Sequence, residues 1–136
     1  MRFLVVGAHA LAANGRPRAT QDLDLVVEPT LANARRLGAA LADFGFAALA
    51  QEWRRFAEPD RMATLGRVPL RIDVMTTISG VSFRDAWRGR LEGKLGPHVV
   101  GFLGRAELIA NKRASGRTKD LLDLALLDEV SELEPR

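Results

Sequence analysis

The sequence predicts a mixed α/β domain in which a central sheet is flanked by helices and a helix pair closes the C-terminal end. Three observations carry that expectation. Aliphatic runs of strand length recur along the chain ("FLVV", "LDLVV", "RIDVM", "HVVGF"). Segments with apolar residues at helical spacing alternate with them, and two of the runs lie so close together that a hairpin is the natural connection. At 136 residues the chain makes one domain, with a sheet-bearing core over 1–103, helices over 104–130 and a tail over 131–136. The absence of cysteine excludes a disulfide framework, a thiolate zinc site and a cysteine nucleophile, and fits a cytoplasmic protein. No apolar run is long enough to cross a membrane. The formal charge of +3 comes mostly from arginine and biases the chain modestly toward phosphate-bearing partners.

Each element has its own signal. "FLVVG" reads as a buried strand ending at Gly7, and "AHALAAN" as a short helix stopped by Gly15 and Pro17. The opening fifteen residues resemble a secretion signal in outline, but their glycines and polar positions are accounted for by this strand and helix. "LDLVVE" is a second strand, closed by Pro29. "TLANARRLGAALADFGF" is the clearest helix, with Thr30 as its cap, Leu31, Ala34, Leu37, Leu41 and Phe44 as its apolar stripe, and Gly45 at its end. Gln51 to Pro59 reads as a helical turn or loop. "RMATLG" and "LRIDVMT" form a hairpin across "RVP", with Pro69 near its edge. A cap within Ser79 to Ser82 starts the short helix "FRDAWRG", and "HVVGFLG" is the last strand. "RAELIANKRAS" and "TKDLLDLALLDEV" are two helices hinged at Gly116, and "SELEPR" is expected to fray. The order is β-α-β-α-β-β-α-β-α-α. Trp53, Phe56 and Trp87 are expected in the core, and His9 and His98 serve packing or capping.

The unusual feature is "QDLDLVV". Side chains alternate along a strand, so Asp22 and Asp24 project to one face while Leu23 and Leu25 project to the other. Asp73, between Ile72 and Val74, puts a third carboxylate in the middle of an apolar run. Two such charges ~4 Å apart repel by about 4 kcal/mol at an effective dielectric near ~20. Three together need a cation, and an oxygen-only donor set suits Mg²⁺ or Mn²⁺ better than zinc. The bland alternative is a set of scattered, solvated acids.

Upstream, Gly7 ends a strand and opens a helix, a geometry in which free backbone N–H groups can hold an anion. It is neither a Walker loop nor a dinucleotide fingerprint. Taken in order, "LVVGAHALAANGRPRATQDLDLVVEP" resembles the nucleotidyltransferase superfamily with the DNA polymerase beta fold, and is especially similar to small bacterial proteins related to the AbiEii/AbiGii toxins. The resemblance covers nearly the whole chain. It implies a nucleotidyltransferase fold and Mg²⁺-dependent transfer of a nucleoside monophosphate from an NTP to a hydroxyl of RNA (tRNA included), protein or a small molecule. It also implies a neutralising antitoxin protein as partner.

The same resemblance assigns the metal to Asp22, Asp24 and Asp73, and phosphate contacts to the Gly7–Ala8 turn. It matches "LIANKRASGRTKDLLDL" to a downstream lysine and an acidic helix, which makes Lys112, Asp120 and Asp123 further nucleotide-site candidates. Ala8 departs from the family's glycine or serine, so phosphate contact there falls to backbone N–H alone. Relatives also carry a helix ahead of the first strand. From the residues alone, Asp123 sits among leucines and calls for a buried cationic partner, Lys112 or Arg117, so a structural ion pair stands beside the nucleotide role. Arg16 and Arg18 flank Pro17 as a solvated turn, with Arg18 the candidate for a phosphate or acceptor contact. The competing class is a catalytically inactive module on the same fold that binds a nucleotide or a partner protein.

Overall fold

The structure is a computed structural model that describes residues 1–15, 22–67 and 69–133, with side chains of 70 and 128–133 left aside. Arg16 and Arg18 lie outside the described residues. The elements are β1 (Phe3–Val6), α1 (Gly7–Ala13), β2 (Asp22–Val27), α2 (Leu31–Asp43), α3 (Ala47–Gln51), a 3-10 turn (Trp53–Ala57), β3 (Met62–Arg67), β4 (Leu70–Met75), α4 (Phe83–Arg88), β5 (Leu91–Leu95), β6 (His98–Phe102), α5 (Arg105–Ser115) and α6 (Thr118–Leu133). They build a six-stranded mixed sheet in the order β3-β4-β2-β1-β6-β5. The β3–β4 and β5–β6 hairpins form its two ends, β1 pairs antiparallel with β2, and the β2–β4 and β1–β6 pairs are parallel.

Strand register divides the core in two. Leu4 and Val26 are opposite each other, so their side chains share a face; with Val6 they meet Leu11, Leu108 and Leu127 of α1, α5 and α6. Val27, Leu65 and Val74 point the other way and pack on Ala34, Leu37 and Leu41 of α2 and on Phe56. Thr30 caps α2 by accepting from the Asn33 N–H at 3.2 Å. The Asn33 side chain in turn binds the backbone of Arg2 and Glu28, which locks the start of α2 to the β1 edge. Phe56 is fully buried and anchors the 3-10 turn against α2. Phe56→Ala is expected to cost about 3–5 kcal/mol in denaturant unfolding, because the cavity it leaves adds to the lost transfer free energy.

Several expectations need correction. Leu31 and Phe44 are 62% and 65% exposed, so the buried stripe of α2 is Asn33, Ala34, Leu37, Gly38 and Leu41. Gly38 belongs to it because Trp53 packs where a Cβ would stand. Trp53 and Trp87 are not deep core anchors; they are half-buried, with Arg54 4.6 Å from the Trp53 ring centroid and Arg90 4.1 Å from that of Trp87. The segment after α2 contains a short helix as well as the 3-10 turn. A sixth strand, β5, precedes the expected last one: "LEGKL" has little apolar content because it is an edge strand, and Gly96 turns it back at φ +61. The last helix also continues to Leu133, three residues into the expected tail.

Among the described residues no helix is long and apolar enough to cross a membrane.

Candidate functional site

One register row changes the chemistry of a sheet face. Val26 and Met75 are paired on β2 and β4, and both pack on the apolar core; one pair earlier, on the same face, Asp24 lies opposite Asp73, and one pair before that Asp22 lies opposite Arg71. All four charged side chains open on a cleft of about 620 Å³ whose far wall is the α5–α6 turn, with Lys112, Ser115, Arg117 and Lys119. The three aspartates therefore do share one face and one cavity.

Asp73 is only 6% exposed, yet it is fully partnered. Thr64 Oγ1 donates to Oδ1 at 2.8 Å, while Arg71 donates through Nε to Oδ1 at 3.2 Å and through Nη2 to Oδ2 at 2.9 Å. Burial pushes the Asp73 carboxyl up, but the hydrogen bonds from Arg71 and Thr64 outweigh it and hold the group below the usual carboxylate range. Asp24 is shifted upward, first by burial, then by the charges of Asp73 and Asp22; it also shares a hydrogen bond with Asp73. Lys119 is the opposing cation. Repulsion among the acids is thus met by a guanidinium at Asp73, and at Asp24 it shows as an upward shift. Among the described residues no three acidic or imidazole groups close to metal-ligand spacing; Arg71 holds Asp73 from the side.

Gly7 has a reason beyond its turn. Its φ is +67, and a Cβ there would collide with the Asp24 carboxylate. The glycine lets the β1–α1 turn close over the acid. Gly7→Ala is expected to lower stability by roughly 1–3 kcal/mol, from overpacking and a left-handed backbone. Its cost should shrink in an Asp24→Ala background, where the obstacle is gone; equal costs in the two backgrounds, measured by denaturant unfolding, would show that Asp24 is not the cause.

The downstream candidates form a buried ion cluster. Lys112 Nζ lies 3.1 Å from Asp120 Oδ1 and 3.1 Å from Asp123 Oδ2, with all three residues at most 6% exposed. Ser115 Oγ and Arg117 Nε also donate to Asp120 Oδ2. Burial alone would raise the Asp120 carboxyl, but Ser115, Arg117 and Lys112 together hold it far below the ordinary range. This is the partner that the leucine-rich surroundings of Asp123 demanded. Lys112 reaches the cleft wall, but its ammonium is engaged by two carboxylates. Gly7 lines the cleft at the start of a helix of only seven residues, and Ala8 follows it outside the lining.

No family model matches the chain, and no curated protein matches its sequence.

Sequence reading missed three members of the site. Arg71 and Thr64 were invisible as partners until register placed them beside Asp73, although Arg71 and Asp73 two apart on one strand was an available cue. Lys119 carries no signal in the sequence. A lysine among polar residues is ordinarily a solvated one, and only the α5–α6 hinge at Gly116, in the left-handed conformation at φ +64, turns it toward the acids.

Proposed function

We propose that the cleft is the active site of a Mg²⁺- or Mn²⁺-dependent nucleotidyltransferase on a nucleotidyltransferase-type fold. The observation that supports this most directly is the side-by-side placement of Asp24 and Asp73 on adjacent parallel strands, with Asp22 one row away and cationic side chains across the cleft. The donor chemistry suits a hard divalent cation, while the spacing among the described residues falls short of a ligand cluster as long as Arg71 holds Asp73. The donor oxygens are all carboxylate, they converge on one face, and a guanidinium already stands as a cation at Asp73. Asp22, Asp24 and Asp73 would hold the metal, which supplies neutralisation of the charge that develops on the phosphoryl oxygens.

Around it, this chain's own residues would do the rest. Once Arg71 has let go of it, Asp73 would take the proton of the acceptor hydroxyl as that oxygen bonds the α-phosphorus and pyrophosphate leaves, and Lys119 and Arg117 would face the polyphosphate from the α5–α6 turn. Arg117 suits that role because its Nε is anchored on Asp120 while its side chain is 74% exposed. Gly7 lines the same cleft, and its backbone N–H and that of Ala8 would contact phosphate. The Lys112–Asp120–Asp123 cluster then serves to hold the cation-bearing turn in place. An RNA end, a protein hydroxyl or a small molecule would be the acceptor, and the resemblance to AbiEii/AbiGii toxins adds an antitoxin as a protein partner.

Incubation with each α-labelled nucleoside triphosphate, Mg²⁺ and a cell extract tests this. Label should move to an acceptor and stop when EDTA is added. Saturable nucleotide binding without transfer from any of the four would support the second reading, an inactive nucleotide-binding module, which the engagement of Asp73 by Arg71 favours.

A further inference from the structure

The fork between Arg71 and Asp73 has a consequence for the metal. Arg71 Nε and Thr64 Oγ1 both donate to Asp73 Oδ1, at 3.2 and 2.8 Å, and Arg71 Nη2 donates to Oδ2 at 2.9 Å, the carboxylate that also shares a hydrogen bond with Asp24. A carboxylate oxygen has about two lone-pair directions, so Oδ1 is filled by two donors while Oδ2 carries Nη2, and a metal ion that binds both oxygens must displace Arg71. Of the donors, the threonine hydroxyl is neutral and can rotate. The guanidinium is a fixed charge, and a divalent ion ~2.0–2.6 Å from the same oxygens would sit in direct repulsion with it.

Arg71 is also free to leave. Its side chain is 38% exposed against 9% for Asp73, it opens on the cleft, and Asp22 is its register neighbour on β2. We propose that Arg71 is a built-in competitor of the metal: its guanidinium and a divalent cation exclude each other at Asp73, so Arg71 sets the metal concentration at which the site assembles. This rests on the metal-site reading of Asp22, Asp24 and Asp73. It assigns Arg71 a positioning role, exercised through Asp73, that a merely structural ion pair would not have.

The test is Mn²⁺ binding to the full chain, read from the loss of the free-ion electron paramagnetic resonance signal without any substrate. Arg71→Met should tighten Mn²⁺ binding at least about tenfold, the scale of a lost charge-assisted hydrogen-bond pair. Arg71→Lys, which keeps the charge but loses the fork, should tighten it by a smaller factor and guards against a misfolded methionine variant. Lys119→Gln removes one positive charge from the same cleft without touching Asp73 and should shift binding less than about threefold, as screened charges do. Equal tightening by Lys119→Gln and Arg71→Met overturns the proposal in favour of a general field effect. Unchanged or weaker binding in Arg71→Met overturns it outright while leaving the metal site standing. If neither wild type nor variants bind Mn²⁺, the metal-site reading falls and takes this one with it.

Discussion

Asp24→Asn is expected to abolish the proposed nucleotidyl transfer while making the metal-free protein more stable. The two effects have one cause. Asp24 is held on the same face as Asp73 and near Asp22, and its carboxyl is raised by burial and by both neighbouring charges. A carboxyl with a raised folded value favours folding below its unfolded value of ~3.9, and that contribution is lost as pH rises through the folded value. At neutral pH the ionised group therefore opposes folding, and a neutral isostere removes the opposition. The same substitution takes away a carboxylate of the proposed metal site, which on that reading should lower transfer by about 10³-fold, the scale of losing a principal electrostatic contributor. Thermal unfolding in EDTA and label transfer in Mg²⁺ read the two effects separately. A variant that retains transfer would remove Asp24 from the site; one that is less stable than wild type at pH 7 would mean that Asp24 contributes to structure through contacts other than this cluster.

A stability effect as large as that of Phe56→Ala should come from Lys112→Met. Its ammonium lies between Asp120 and Asp123, each 3.1 Å away and nearly inaccessible to water. Replacing the lysine leaves carboxylates buried without their main cation, and breaking such a pair from one side costs about 3–5 kcal/mol. Against a typical domain stability of roughly 5–15 kcal/mol, that would bring the protein near its unfolding threshold at 37 °C. Asp123→Asn in the same background should recover part of the loss, because it removes one unpaired charge.

The cluster also predicts an acid limb. Asp120 has a depressed folded value, so the stability it contributes is complete above the unfolded value of ~3.9 and declines as pH falls below it. Asp120→Asn should flatten the unfolding free energy between about pH 4 and pH 2 relative to wild type. A parallel decline in both proteins would assign the acid sensitivity to other carboxylates.

What the sequence by itself determined was local. The alternation in "DLDLVV" put Asp22 and Asp24 on one face, the capping signals at Thr30 and Ser82 were sufficient to start α2 and α4, and the glycines at 45 and 116 marked where helices stop. These depend on neighbours a few residues apart, where backbone geometry leaves few choices. The failures had the opposite character. "LEGKL" is a strand only because β6 lies beside it, Leu31 and Phe44 fit a helical stripe but fall at the first residue and the C-cap of α2, beyond its buried turns, and Lys112 has helix-spaced acids that became partners only once α5 and α6 packed.

Tertiary structure alone decided the site's charge balance. Asp73 could be recognised as an odd carboxylate in an apolar run, but its neighbours across the sheet depend on register, and a shift of one residue would have exposed Ile72 and buried a different face. The observed register sets Asp24 against Asp73 and lets Arg71 fold back along its own strand to hold it. Whether three acids repel, bind a cation or borrow an arginine is a question of a few ångströms between strands and turns far apart in the chain. Electrostatic energy depends on those separations and on the surrounding water, and neither is written in residue spacing.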